Sequence, residues 1–307
     1  MEHKANNPNL LPILEQLEIA RKRVANQYIL GYSFMCLGII LAVIFISLSL
    51  FGIGVTLFFL CPFVGFIILL LVDDKENQYK LDFKQNVIAS IVEGDDSNLR
   101  IDPNSGIGPR DFVESFLFSK KPDLYKTEDL VYGHIGKTTV HFAEVGAQAV
   151  HEGEHSRIFD GIIFCASFNK HFNGLTLVKP RPYTNSLSRW ISQNLLTNNK
   201  VVDLENADFN QTFFTQTSDQ VEARYILTPS LMERLLELNN YADSTISVSF
   251  VWSNVYIAFP LNHNYFEAPI FKSLLNAEVL ERDLNMLRLM RHVVEELDLN
   301  TRIWTKE

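Results

Sequence analysis

The chain has 307 residues, a mean hydropathy of +0.04, 21% charged residues and a net charge of −9. That length holds one large or two small domains, and that charge fraction excludes both a disordered tail and a fully embedded transporter. The charge is unevenly placed: no Asp, Glu, Lys or Arg lies between Arg23 and Asp73, and the part after residue 72 carries ten net negative charges, a poor footprint for a nucleic-acid binder. Three cysteines, two of them (Cys36, Cys61) in the apolar stretch, make no disulfide framework, and Cys165 reads as a buried structural thiol.

Residues 1–27 precede the apolar stretch. Leu10, Ile13, Leu14, Leu17, Ala20 and Val24 recur at three- and four-residue spacing, predicting an amphipathic helix with Pro12 in its first turn. Two readings stay open: a separate helix on the membrane or the soluble domain, or an extension of the helix that follows.

Tyr28–Val72 is 45 residues without a charge. One helix of that length would reach roughly 67 Å, twice the ~30 Å hydrocarbon core. Two helices fit, over about 28–49 and 53–72, with Gly52 and Gly54 supplying the break. Gly31, Gly38, Pro62 and Gly65 are kink or close-packing sites. The stretch begins near residue 28 and is far too long for the apolar core of a signal peptide, so none is expected. Arg21, Lys22 and Arg23 before the hairpin, and Lys75, Lys80 and Lys84 after it, place both termini in the cytoplasm. With no ionisable group in the bilayer the hairpin reads as an anchor, not an ion pathway.

Residues 73–307 read as a cytosolic α+β domain. A helix is expected over 80–93, a loop over 94–110 and a short helix over 110–118. Strands follow at 129–134 and, after a turn at Gly136, at 138–146. The apolar run 161–168 suits a central strand, with 174–179 returning from it through Asn173-Gly174. A helix over 228–238 has Thr228 as N-cap and Pro229 in its first position. Ile246, Val248, Phe250 and Trp252 alternate along a strand that turns at Ser253-Asn254 into 255–259. Ala277, Leu280, Leu284, Leu287, Met290, Val294 and Leu297 make one stripe of a helix over about 272–298. Antiparallel strands with separate helices define the α+β class, and a pleckstrin-homology-like barrel is one option within it.

HEGEH at 151–155 fits the zinc-protease spacing, in which His151 and His155 share a helix face and Glu152 activates water. Gly153 and the strand-like flanks instead suggest a polar loop between two strands, and a third ligand would have to come from His134, His141, His171 or a distant carboxylate. SGIG at 105–108 lacks the spacing of a phosphate loop. Asn210-Gln211-Thr212 is a sequon that matters only in a secretory lumen. Phe159, Phe164, Phe168, Phe172, Phe209, Phe213 and Phe214 read first as core and second as a lipid or peptide groove. Arg224 reads as an ion-pair partner of Asp219 or Glu222. No catalytic, metal or cofactor-binding residue is assigned, and no cofactor.

Several segments resemble a bacterial membrane family known as domain of unknown function 3137: SDQVEARYILTPSLMERLLEL (218–238), RIFDGIIFCASFNKHFNGLTLVKP (157–180), EDLVYGHIGKTTVHFAEV (128–145), VDLENADFNQTFF (202–214) and SVSFVWSNVYIAF (247–259). The resemblance implies a hairpin-anchored protein of the bacterial inner membrane with a cytosolic domain. It supplies no catalytic residues, and implies a LemA-type membrane protein as a partner. The expected role is binding or scaffolding at the membrane. The alternatives are a membrane-bound zinc hydrolase at His151, Glu152 and His155, and a lipid-binding module.

Overall fold

The computed structural model describes residues 10–95, 98–168, 171–181, 200–242, 245–261 and 264–297. Two compact units divide the chain: Met1–Ile91 with Phe266–Asp283, and Val92–Tyr265 with Leu284–Glu307.

The first unit is built on helices α1 (Leu10–Ser47), α2 (Phe51–Leu70) and α3 (Asp73–Phe83), which runs through a π turn at Lys84–Ile88 into α4 (Ala89–Asp95). Helix α1 is unbroken, so the amphipathic segment extends the first apolar helix, and its Leu14, Leu17 and Val24 are buried. The break between α1 and α2 falls earlier than expected. Ser49 takes the left-handed conformation (φ 61°), with Leu50 N–H on Phe45 O at 2.9 Å and Ser49 N–H on Ile46 O at 3.0 Å. These two bonds form a Schellman cap on α1.

Gly52 and Gly54 therefore lie inside α2; Gly52 has open space around it, and Gly54 serves packing rather than the turn. A Cβ on Gly65 would sit 2.6 Å from Gly31 O, one on Gly38 2.5 Å from Cys61 Cβ, and one on Gly54 2.7 Å from Ile46 Cγ1. This small-residue seam lets the two helix backbones approach. Their outward faces are apolar: Phe51, Phe59 and Phe63 are 62%, 67% and 61% exposed. By length and composition, both apolar helices can cross a membrane.

In the same unit the segment Phe266–Leu274 is tied to α1, α3 and the π turn by polar contacts. Glu18 and Arg21 form a buried, two-pronged ion pair with both contacts at 2.8 Å. Arg21 also donates to Ile270 O at 2.6 Å, and Glu18 accepts from Leu274 N–H at 3.0 Å. Tyr79 donates to Pro269 O at 2.7 Å, and Lys84 pairs with Glu267 at 3.4 Å. Tyr28 donates to Glu76, which also pairs with Lys80 at 2.7 Å. Four of the basic residues flanking the apolar stretch (Arg21, Lys22, Lys80 and Lys84) thus have carboxylate partners.

The second unit holds one antiparallel sheet of nine strands: β1 (Leu99–Asp102), β2 (Leu124–Ile135), β3 (Thr138–His151), β4 (Glu154–Ser167), β5 (Thr176–Pro180), β6 (Lys200–Val202), β7 (Phe213–Thr217), β8 (Ser247–Val251) and β9 (Asn254–Pro260). Their order is β1-β2-β3-β4-β9-β8-β5-β7-β6. The α+β class holds, while the described strands form an open sheet with β1 and β6 at its edges rather than a seven-strand barrel.

Three expectations change. Strand β1 lies within the expected loop at 94–110, paired to β2 from Leu99↔Gly133 to Asp102↔Leu130. Strand β5 does not return along β4; it pairs with β8 and β7, and β4 pairs with β9. The β8–β9 turn is one residue earlier, at Trp252-Ser253, because Val251 already pairs with Asn254. Trp252 there has φ 59° and is exposed, so it leaves the face it was expected to share with Ile246, Val248 and Phe250.

Among the described residues the remaining helices are α5 (Pro109–Glu114), α6 (Ala207–Thr212), α7 (Gln220–Ile226), α8 (Pro229–Tyr241) and α9 (Ala277–Glu296). The Thr228 side chain caps α8 by accepting from Leu231 N–H at 3.3 Å, with Pro229 in the first turn. The expected helix over 272–298 starts at Ala277, and residue 298 lies outside the described residues, as do 1–9 and 96–97 of the expected N-terminal segment and loop. On one face of β3, β4 and β9, Ala143, Ile163, Cys165, Tyr256 and Ala258 form a core with Phe112 and Leu117. Phe112 stacks on Phe118 at 4.7 Å. All seven phenylalanines of the aromatic-rich set are buried, so they are core and not the lining of an open groove.

Candidate functional site

HEGEH forms the tip of the β3–β4 hairpin. His151 pairs with Glu154 and Val150 with His155. Glu152 and Gly153 fill the two turn positions, both with positive φ (51° and 85°), the pattern that a tight two-residue hairpin requires. Directly paired residues share a face, and successive residues alternate. His151 and His155 therefore stand on opposite faces of the ribbon and do not make a joint ligand pair. All five residues are exposed.

Other residues singled out in the sequence have local structural roles. Asn210 bridges the chain before α6, accepting from Leu204 N–H at 3.3 Å and donating to Leu204 O. Arg224 donates to Gln220 O at 3.3 Å. Asp219 caps α7 through Val221 N–H and Glu222 N–H, and Glu222 accepts from Asn173 N–H (3.1 Å) and Gly174 N–H (2.7 Å). His171 lies 3.2 Å from Ser253 Oγ.

Two of the histidines, His134 and His141, line one cleft. A cleft of about 360 Å³ opens at the β2–β3 end of the sheet, and Asp111, Tyr132, His134, Thr139 and His141 line it. One wall is the segment between β1 and α5. Asp102 fixes its start by accepting from Asn104 N–H at 3.0 Å and Ser105 Oγ at 2.6 Å, and these bonds hold its carboxyl below the usual range. Thr127 Oγ1 then accepts from Ile107 N–H at 3.2 Å and donates to Glu144 O at 2.7 Å. Gly106 lies so close that an added Cβ would be 2.1 Å from that Oγ1. The volume falls at the small end of small-molecule sites. Burial pushes the His141 imidazole pKa below its ordinary value, partly opposed by the Asp111 charge, which keeps the ring neutral at pH 7 and able both to donate and to accept.

From this cleft a row of polar side chains crosses the sheet on one face. The register runs Tyr132↔His141, His141↔Cys165, Cys165↔Tyr256 and Tyr256↔Ser249, and continues through Leu177 to Gln216. Burial pushes the Cys165 thiol up to about 12 and raises the Tyr256 phenol, so both stay protonated and act as hydrogen-bonding groups, not nucleophiles. This row crosses seven strands, and no spacing in the sequence connects its residues. A smaller hollow of about 150 Å³ on β2–β4 is lined by Lys126, Glu128, Glu144 and Asp160. Its Glu128 pairs with Lys126 at 2.7 Å, and its Glu144 accepts from Tyr265 N–H.

Residues 157–299 match the family model "Protein of unknown function (DUF3137)". The resemblance read from 157–180, 202–214, 218–238 and 247–259 is thereby shown over that part of the chain. No curated protein matches. Among solved structures, the crystal structure of the mycobacterial trehalose monomycolate transport factor A, TtfA, is similar at 8% identity, over 57% of this chain and 74% of that one, with a TM-score of 0.31.

Proposed function

We propose that this chain, DUF3137-like over 157–299, is a binding or scaffold protein anchored in the bacterial inner membrane by α1 and α2, with both termini cytoplasmic. The observation that carries the reading is the helix pair, which has no charged residue from Val24 to Val72. It is joined by a three-residue turn, seamed by glycines on its inner side and apolar on its outer faces. Such outward faces are stable against lipid and costly against water. The orientation is supported by Lys and Arg on both flanks and none in the turn.

The protein partner proposed is of the LemA type, and the acidic sheet unit is the part that would hold it. The ten net negative charges after residue 72 oppose attraction to anionic headgroups, worth about 1 kcal/mol per basic residue, so protein binding is favoured over lipid recognition. The zinc-hydrolase alternative draws no support from a hairpin tip with its two imidazoles on opposite faces. Crosslinking in the native membrane, with residues 10–72 alone as control, tests the role. Recovery of a LemA-type protein with the full chain only is expected. Equal recovery with the helix pair, or none with either, contradicts the reading.

A further inference from the structure

The cleft at the β2–β3 end of the sheet lies wholly within the second unit, and its lining selects one kind of ligand. Tyr132 pairs with His141 and His134 with Thr139, so these four side chains stand on one face. Ile107 and Leu130, which join the apolar packing of that face, also line the cleft, and Asp111 on α5 completes the wall. Among the described residues, the side chains of Asp111, Tyr132, His134 and His141 make no hydrogen bond to the protein. Their polar atoms are not sealed from solvent either, so they are open to a ligand in the cleft.

Asp111 is the only acidic residue of the lining, and no Lys or Arg joins it. The neighbouring Arg110 turns instead to Glu114, at 2.7 Å. Burial keeps the His141 ring neutral against the Asp111 charge, so it offers an acceptor nitrogen and adds no positive charge. An anion would find no cation here. An ammonium brings donors and no acceptor, and the Asp111 carboxylate, the His141 ring and the Tyr132 and Thr139 oxygens can all accept. The Tyr132 ring, 43% exposed, adds a π surface for the charge. We infer that this cleft binds a small primary ammonium carried on an apolar or aromatic body, with Asp111 as its counter-charge and Ile107 and Leu130 against the body. A divalent metal fits less well, because the ligand atoms of Asp111, His134 and His141 do not all lie within 4.8 Å of one another. The site stands whether or not the helices cross a bilayer.

The test uses the full-length protein in nanodiscs of zwitterionic lipid at neutral pH, with empty nanodiscs as the blank, and reads binding by calorimetry. The probes share one body: tyramine carries an ammonium, tyrosol a neutral hydroxyl and hydroxyphenylacetate a carboxylate. Tyramine is expected to bind about tenfold more tightly than tyrosol, as a charge-assisted hydrogen bond implies, and hydroxyphenylacetate is expected not to bind. Equal affinities for tyramine and tyrosol, or a preference for the anion, overturn the assignment. Asp111→Asn leaves intact the backbone carbonyl that accepts from Ser115 N–H. In that variant tyramine is expected to weaken about tenfold while tyrosol is unchanged. Unchanged tyramine binding, or a parallel loss for both probes, overturns the site. Should Asp111→Asn fail to fold, His141→Phe serves instead: it removes an acceptor and keeps a ring, and the preference for tyramine is expected to fall about threefold. An unchanged preference in that variant overturns the site.

Discussion

Asp283 shows how one buried side chain couples the first unit to pH. Its carboxylate accepts from Phe266 N–H at 2.9 Å, yet burial dominates and raises its pKa from the ordinary 3.8 to about 6. Glu267 adds to the rise, and the Phe266 bond, Arg282 and Lys84 oppose it. A carboxyl whose folded pKa lies above its unfolded value binds protons more tightly when folded. Its stabilising contribution is complete below pH 4 and is lost as pH rises through 6. At pH 7.5 the ionised group costs up to ~3 kcal/mol. Asp283→Asn keeps an acceptor for Phe266 and is expected to raise the melting temperature at pH 7.5 by more than at pH 5. Equal shifts at the two pH values would show that Asp283 does not titrate in this window. Single residues were read well where their signal is local: Thr228 and Pro229 start α8 as their chemistry dictates. Ser49 was missed because glycine is the usual left-handed helix cap, and here glycines lie only a few residues away.

Among the elements, the α1–α2 pair makes the sharpest prediction, because its glycines differ in what surrounds them. Gly52 has nothing within 4 Å of an added Cβ, whereas Gly65 would meet Gly31 O at 2.6 Å. Gly52→Ala is expected to be neutral or to stabilise by up to ~1 kcal/mol through helix propensity. Gly65→Ala is expected to destabilise by about 1–3 kcal/mol, since a backbone oxygen cannot swing aside. Thermal unfolding of the two variants in one detergent compares them directly, and equal effects would count against the seam. The helix pair was legible from hydropathy and length, and the connection of two strands through HEGEH from Gly153 and its strand-like flanks, although the strands run on to His151 and from Glu154. HEGEH misleads as a pattern because a regular expression carries no secondary structure. Spacing of four residues aligns two histidines on a helix, but across a two-residue turn it puts them on opposite faces of a ribbon.

Across the whole molecule, the α+β class and the apolar pair were readable, but the order of strands was not. Which strand lies beside β5 depends on pairing between residues some 70 apart, Leu177 with Ser249, and no local pattern encodes that. The polar row follows from the same long-range register and so escaped the sequence, whereas the cleft lies on the expected β2–β3 hairpin and needs the segment Gly106–Asp111 beside it, which no local pattern places there. The central claim is that α1 and α2 anchor the protein as a helical hairpin with the sheet unit in the cytoplasm. The direct test is to place a cysteine at Ser49 in the turn, or at Ser156 in the second unit, and label intact and lysed cells with a membrane-impermeant maleimide. Ser49→Cys is expected to react in intact cells once the outer envelope is permeabilised, and Ser156→Cys only after lysis. Labelling of both positions from outside, or of neither until lysis, would contradict the account.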